Sequence, residues 1–256
     1  MSNVASAAGE EFRIGVVFSQ SFSILFKNIV PFGLLYLAVN ACSSLYALFL
    51  SANGNTTPDE DVVVGLLGLA EIFLGIVATA AITYATVQEL RGRRVTIGEF
   101  LRRGLAQAGT VVLVAILSSV LLLLGFIAFV IPGIILYTMW WVAIPVAVIE
   151  RPGTMASLRR SAALTAGYRW RLFGLILCFF LATGIVNSLI EGSGSTGVYF
   201  TTESESHPVG PAAIVASWLW TALLTAGQAV LTAVSYYQLR IVKEGVGIDE
   251  IAAVFD

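Results

Sequence analysis

The sequence predicts an all-α membrane protein with six transmembrane helices, and two observations carry this prediction. First, 57% of the 256 residues are hydrophobic and only 12% are charged, whereas an average soluble domain carries roughly 25% charged residues. Second, all fourteen Lys and Arg residues can be placed on one side of a membrane. Because cytoplasmic loops are enriched in Lys and Arg, this pattern also predicts that the N and C termini are cytoplasmic.

Six apolar runs are expected to cross the bilayer and to pair as three hairpins. A ~30 Å hydrocarbon core takes about 20 apolar residues to cross, and every run reaches or approaches that length except 133–149, which is at the lower limit. The runs are 29–52, 62–88, 110–130, 133–149, 172–190 and 212–239. The loops expected on the outer side, which contain no Lys or Arg, are 53–61, 131–133 and 192–208.

The basic residues form four groups along the chain. They precede the first run, separate the second run from the third and the fourth from the fifth, and follow the sixth. The groups are Arg13 and Lys27; Arg91, Arg93, Arg94, Arg102 and Arg103; Arg151, Arg159, Arg160, Arg169 and Arg171; and Arg240 and Lys243.

An amphipathic helix is expected before each hairpin. Apolar or small residues recur at helical spacing from Ile14, from Ile97 and from Thr154. The first two helices are expected to lie in the membrane interface. The third carries a stripe of hydroxyl residues, which suits close packing against protein better than burial in lipid. This stripe comprises Ser157, Ser161 and Thr165.

The three units, 11–90, 95–150 and 153–242, are interpreted as repeats within one membrane domain that covers residues 1–256. The competing interpretation is chance, because amphipathic helices resemble one another.

Three residues are predicted to break helices in the second hairpin. Pro132 and Gly133 are expected to form a tight turn within apolar sequence, where backbone polar groups need protein or headgroup partners. Pro145 is expected to kink the fourth span, because its ring removes a helix hydrogen bond.

Glu71 is the most conspicuous polar residue inside a predicted span. A charged group at the bilayer centre costs roughly 3 kcal/mol, and intramembrane acids usually face a protein interior or a water-filled cavity. One interpretation is therefore a proton or cation site near Asn40 of the first span. The other is structural: a protonated carboxyl hydrogen-bonded between helices, or one close enough to the outer surface to stay hydrated.

Trp140 and Trp141 lie near the middle of the fourth span, away from both expected interfacial aromatic belts. They are candidates for the wall of a cavity that holds an acyl chain or another apolar ligand. The alternative is that they fill space between helices.

Four arginines are candidate contacts for anionic lipid headgroups, because guanidinium groups suit phosphate oxygens and basic pockets beside spans bind such headgroups. They are Arg159, Arg160, Arg169 and Arg171. The alternative is that these cations only set the topology.

The sequence lacks the parts of the common catalytic and metal sites. His207 is the only histidine, and no Ser-His-Asp, Cys-His or phosphate-loop pattern is present. Cys42 and Cys178 lack metal or redox spacing and are expected to be small buried residues. We therefore expect no catalytic residue, no cofactor and no metal. Nucleic acid is not an expected partner, since the cations lie beside membrane spans.

The stretch 131–174 carries the most specific pattern. It resembles the membrane domain associated with some bacterial glycerophosphoryl diester phosphodiesterases, and it is similar to the related YciC-type inner-membrane proteins. The elements that carry this resemblance are Pro132-Gly133, Trp141, Pro145, Glu150, Leu158, Arg160, Ser161, Gly167, Trp170 and Phe173. The resemblance implies a six-span fold. The phosphodiesterases carry a separate catalytic domain, which is not expected here because the chain ends soon after its last predicted span, so their activity is not carried over.

The sequence predicts a non-enzymatic integral protein of the bacterial inner membrane that organises lipid or an envelope partner. The alternative is a small transporter or channel that uses the polar site near Glu71. Expected partners are anionic membrane lipids, a second copy of the chain or an envelope protein. A seam of alanines on the sixth span would pack within the chain or against such a copy. The seam comprises Ala222, Ala226, Ala229 and Ala233.

Overall fold

A computed structural model describes residues 12–53, 58–93, 95–191 and 211–245, and within these ranges the only regular secondary structure is helical. The predicted all-α class is therefore confirmed. The described helices are α1 (Ile14–Lys27), α2 (Ile29–Val39), α3 (Ala41–Asn53), α4 (Pro58–Leu90), α5 (Ile97–Ala106), α6 (Ala108–Ala128), α7 (Val130–Trp140), α8 (Ala143–Ile149), α9 (Thr154–Thr165), α10 (Arg169–Glu191) and α11 (Pro211–Glu244). The predicted loop 192–208, with His207, lies outside the described residues.

Within the described ranges, five helical segments are long and apolar enough to cross a membrane. A sixth is obtained if α1 and α2, which meet at 79°, are counted as one bent span. The five segments are Val62–Leu90, Ala108–Ala128, Val130–Ile149, Arg169–Ser188 and Val215–Glu244. Many large apolar side chains cover the outside of the bundle, among them Ile127 at 73% exposure. Helices that are apolar on their outward faces as well as inside suit lipid surroundings, and the chain has the character of a multi-pass membrane protein.

The predicted first span, 29–52, requires a correction, because the structure divides it at Asn40. α2 ends at Val39, and α3 begins at Ala41. The backbone N–H of Asn40 and its side-chain amide both donate to the carbonyl of Tyr36, at 3.0 and 2.8 Å. Asn side chains compete with the helix for backbone hydrogen bonds in this way. The indole Nε1 of Trp218 donates to the nearby carbonyl of Leu37 at 3.2 Å.

The turn of the second hairpin lies earlier than predicted. Phe129 has extended backbone angles, φ −167° and ψ 154°, and separates α6 from α7. Pro132 is the third residue of α7, where its missing N–H costs nothing because the first turn of a helix has no intrahelical acceptors for these donors. The ring of Phe126 packs against Gly133 and fills the space that a side chain at position 133 would need.

The interruption expected from Pro145 is present. α7 ends at Trp140 and α8 begins at Ala143, so the helix stops one turn before the proline. The ring of Pro145 would collide with the carbonyl of Trp141, four residues earlier, in a continuous helix. The fourth span is thus two helical pieces with a short break between them.

The hydroxyl stripe of α9 packs against this break and supplies a hydrogen bond to it. Ser157, Ser161 and Thr165 are fully buried. The hydroxyl of Ser161 donates to the carbonyl of Met139 at 2.8 Å. The hydroxyl of Thr165 shares its one proton between the Met139 carbonyl at 3.3 Å and the Ser161 carbonyl at 3.0 Å. Met139 lies in the last turn of α7, where carbonyls lack intrahelical donors. The stripe therefore packs against protein and pairs a polar group that the break releases.

α4 and α11 form the centre of the bundle. They pack on each other, and α1, α2, α5 and α6 pack around them. The alanine seam of α11 is buried inside this described bundle, with each alanine at most 3% exposed, so it serves packing within the chain. By contrast, Cys42 and Cys178 are exposed on the bundle surface, and the expectation that both are buried was wrong.

Candidate functional site

A network of charges ties α8, α9 and α11 together at one end of the bundle. Glu150 follows the last residue of α8. Its carboxylate accepts a hydrogen bond from Arg160 Nε at 2.8 Å and another from the Tyr236 hydroxyl at 3.0 Å. The Nε atom of Arg240 lies 3.7 Å from the same carboxylate. Glu150 thus joins three side chains from two other helices.

Glu244 closes this network from the end of α11. It forms an ion pair with Arg240 at 3.0 Å and a second with Arg160. The pKa of the Arg160 guanidinium is raised above its ordinary value. The hydrogen bond to Glu150 contributes most to this rise, and the hydrogen bond to Glu244 contributes less. We call Glu150, Arg160, Tyr236, Arg240 and Glu244 the Glu150 network. Its cations are neutralised by protein carboxylates, so the network serves to hold helices together.

The four arginines predicted as headgroup contacts do not converge on one site. Arg160 belongs to the Glu150 network, whereas Arg159 beside it is exposed. Arg169 is half-buried, and its Nε atom has no hydrogen-bond partner among the described residues. Arg171 donates to the carbonyl of Phe12 at 3.2 Å and lies over the ring of Tyr168. The sequence therefore grouped side chains that have different roles.

Sequence reasoning missed most of the Glu150 network. Glu150 was named only as part of the family resemblance, and Arg240 only as one of the basic residues. The one local signal is the spacing of Arg240 and Glu244, since opposite charges four residues apart face each other on a helix. The pairing of Arg160 with Glu244 spans 84 residues, and no short-range pattern reveals it.

The structure brings Glu71 close to the break at Asn40. The hydroxyl of Ser43 lies 2.7 Å from the Glu71 carboxylate and 3.1 Å from the Asn40 carbonyl. Both groups accept from Ser43, and because a hydroxyl carries one proton, Ser43 shares that proton between the Glu71 carboxylate and the Asn40 carbonyl. Glu71 is partly buried, and Ser43 connects it to Asn40 through hydrogen bonds.

An apolar groove of about 300 Å³ lies between α1, α10 and α11, and nearly all of its lining is apolar. The rings of Phe22 and Phe26 border it and are 53% and 64% exposed. Thr183 and Trp220 lie along its other walls. Such a groove on the outward side of a membrane bundle suits a hydrocarbon chain.

A polar cavity of about 250 Å³ lies between α4, α6, α7, α8 and α11. Trp140 and Trp141, predicted as cavity walls, both line it. Most of the lining surface is apolar, as predicted, but half of the lining residues also carry a hydroxyl or amide group. Its polar members are Thr79, Ser118, Tyr137, Thr225, Gln228 and Thr232. We refer to these two spaces as the apolar groove and the polar cavity.

Comparison of the chain with protein-family models, with curated proteins and with solved structures found no match. Within the described ranges, no group of three or more His, Cys, Asp or Glu residues is arranged to hold a metal ion. The geometry described above is therefore the basis for the functional proposal.

Proposed function

We propose that this chain is a non-enzymatic, multi-pass protein of the bacterial cytoplasmic membrane that binds anionic phospholipid. In this proposal an acyl chain occupies the apolar groove, and the headgroup lies at the cations where α1 and α10 begin. The amphipathic helix α5 lies along the membrane surface, and both termini face the cytoplasm.

The orientation is supported by the positions of the charged side chains in the bundle. Arg171 contacts Phe12, Lys27 pairs with Glu89 at 2.5 Å, and Arg160 pairs with Glu244. These contacts join the start of α10 to the start of α1, the end of α1 to the end of α4, and α9 to the end of α11. We infer that these cations face the anionic headgroups of the inner leaflet, because cytoplasmic segments are enriched in Lys and Arg.

The observation that carries the lipid proposal is the apolar groove with basic residues at one end. Arg13 is exposed and precedes α1, and Arg171 is near the start of α10. At 1.5 Å per residue, the groove residues Phe18 and Phe179 lie about 7 and 12 Å along their helices from these arginines. A phosphate at the arginines therefore leaves its acyl chain level with the groove.

The proposal can be tested by filling the groove with a larger side chain. Ala182 lines it, whereas the adjacent Leu181 is 57% exposed and does not line it. We expect Ala182→Trp to lower bound phosphatidylglycerol at least about tenfold, because the indole occupies the space of the acyl chain. Leu181→Trp is the matched control and should retain the lipid. Native mass spectrometry of protein in mixed micelles counts the bound lipids.

A second arm tests the headgroup. Arg13→Gln should reduce the preference for phosphatidylglycerol over phosphatidylcholine while leaving total lipid occupancy closer to the original value. Equal lipid binding by the Ala182→Trp and Leu181→Trp variants would contradict the acyl-chain assignment. An unchanged lipid preference in Arg13→Gln would contradict the headgroup assignment.

Transport of protons or small cations is a second candidate function, favoured by the link from Glu71 through Ser43 to the break at Asn40. Intramembrane acids beside interrupted helices mark ion pathways in many transporters. We expect Glu71→Gln to abolish proton flux into pyranine-loaded proteoliposomes under an imposed potential. The control Glu99→Gln changes an exposed carboxylate on α5 and should leave flux unchanged. Flux that persists in Glu71→Gln, or that is absent in the unaltered protein, would exclude this function.

A further inference from the structure

The polar cavity is unusual because polar groups line a space about halfway along apolar helices. Thr79 lies ten residues, or about 15 Å, before Glu89 on α4. Gln228 lies ten residues after Trp218 and sixteen before Glu244 on α11. Polar side chains at this depth are costly, and they mark ligand or ion pathways when they face a cavity.

The cavity offers hydrogen-bond acceptors from three hydroxyls. Ser118, Thr225 and Thr232 each donate their proton to a carbonyl of their own helix, at 3.0, 2.6 and 2.8 Å. A hydroxyl that has donated its proton keeps lone pairs that accept hydrogen bonds. These three side chains therefore present acceptors to a molecule in the cavity.

The cavity also offers donors. The side-chain amide of Gln228 and the hydroxyl of Tyr137 both line the cavity. The indole Nε1 of Trp141, which is 7% exposed as a residue, is buried without a partner in the part of the chain that the structure describes. Because unpaired polar groups in an apolar interior are unfavourable, a ligand with several hydrogen-bonding groups would be stabilised here.

The lining also limits the charge and the size of the ligand. Among the described residues that line the polar cavity there is no Asp, Glu, Lys, Arg or His, so an ion would lack a countercharge from them in a low-dielectric region. A space of about 250 Å³ is below the usual range for drug-sized ligands. An acyl chain would leave the Gln228 amide and the Tyr137 hydroxyl unpaired.

We propose that the polar cavity binds an uncharged polyhydroxy molecule, between glycerol and a hexose in size. Each hydroxyl of such a molecule can accept a hydrogen bond from the Gln228 amide or the Tyr137 hydroxyl and donate its own proton to Ser118, Thr225 or Thr232. Its C–H faces can pack on the ring of Trp140. This site is separate from the apolar groove, so it does not depend on the lipid proposal.

The test measures equilibrium binding of tritiated glycerol, xylitol and glucose to the full chain in phosphatidylcholine nanodiscs. Saturable binding of at least one of the three is expected, and excess glycerol 3-phosphate should not compete because of its charge. Gln228→Leu should weaken binding at least about tenfold. Thr86→Val is the matched control, since Thr86 is a buried threonine outside the cavity whose hydroxyl has no partner among the described residues.

Thr232→Val provides a second, isosteric change in case Gln228→Leu does not fold, and far-UV circular dichroism checks the fold of each variant. The proposal is overturned if none of the three compounds binds saturably. It is also overturned if folded Gln228→Leu and Thr232→Val both bind like the unaltered protein, or if glycerol 3-phosphate competes as well as the neutral compounds.

Discussion

Among the described helices, the segments α2–α3 and α7–α8 are each interrupted, and the two interruptions are stabilised by different means. Between α7 and α8, the carbonyl of Met139 receives hydrogen bonds from Ser161 and Thr165, which belong to a separate helix. Between α2 and α3, Asn40 donates to the carbonyl of Tyr36, one turn earlier on the same segment. The first break depends on tertiary packing, whereas the second is largely local.

This difference indicates at which stage of folding each break is stabilised. A buried backbone group left without a hydrogen-bond partner costs about 1–3 kcal/mol, so a break needs its partners in place. The partners of Met139 arrive only when α9 docks on α7. Asn40 carries its own donor, and Trp218 adds one long-range hydrogen bond to Leu37. We therefore expect changes around the α7–α8 break to destabilise the protein more than changes at Asn40.

The largest effect is expected at Glu150, which holds the end of α8 on the far side of the first break. Glu150→Gln removes the charge that pairs with Arg160 and Arg240. These side chains are 19–34% exposed, so partial hydration makes their ion pairs weaker than fully buried ones. We therefore expect Glu150→Gln to lower the free energy of unfolding by about 2 kcal/mol. The measurement is the free energy of unfolding from SDS titration in mixed micelles.

The control for this change is Glu99→Gln, which neutralises an exposed carboxylate on α5 and should alter stability by less than about 0.5 kcal/mol. Similar losses in the two variants would show that the Glu150 network contributes nothing specific.

An intermediate effect is expected from removing the hydroxyls that close the first break. Ser161→Ala combined with Thr165→Val leaves the Met139 carbonyl unpaired and should lower stability by about 1.5 kcal/mol. Ser157→Ala is the control, because the Ser157 hydroxyl bonds within its own helix, to Gly153. The same SDS titration applies, and a double variant no less stable than Ser157→Ala would remove the tertiary role assigned to the stripe.

The smallest effect is expected at Asn40. In Asn40→Leu the carbonyl of Tyr36 keeps its hydrogen bond from the backbone N–H of residue 40, so the loss should stay below about 1 kcal/mol. Oriented circular dichroism can also follow the helical content around the break. A loss larger than that of the Ser161→Ala and Thr165→Val pair would reverse the ranking of the two breaks.

The features that the sequence predicted correctly have local causes. Pro145 interrupts its helix through the covalent geometry of its own ring. The stripe of Ser157, Ser161 and Thr165 follows helical spacing, and its polarity excludes lipid as its surroundings. In both cases the residues that carry the prediction also cause the structure.

The features that the sequence did not predict depend on distant contacts. The turn lies at Phe129, where Phe126 can pack against Gly133, although Pro132 is the more obvious turn residue. From the sequence alone, Arg160 resembles a headgroup ligand, whereas in the structure it pairs with Glu244. The polarity of the cavity arises from residues on several helices, so the pair of tryptophans alone suggested an apolar ligand.

The Glu150 network also implies an order of assembly during biosynthesis. Glu150 and Arg160 are ten residues apart and emerge from the ribosome almost together, whereas Tyr236 is 86 residues from Glu150 and Glu244 is 84 from Arg160. Until α11 is translated, Glu150 and Arg160 compensate each other's charge but lack the hydrogen bond from Tyr236 and the ion pairs with Arg240 and Glu244. Insertion of α11 supplies these contacts, so the Glu150–Arg160 pair is a preformed polar attachment point for that helix.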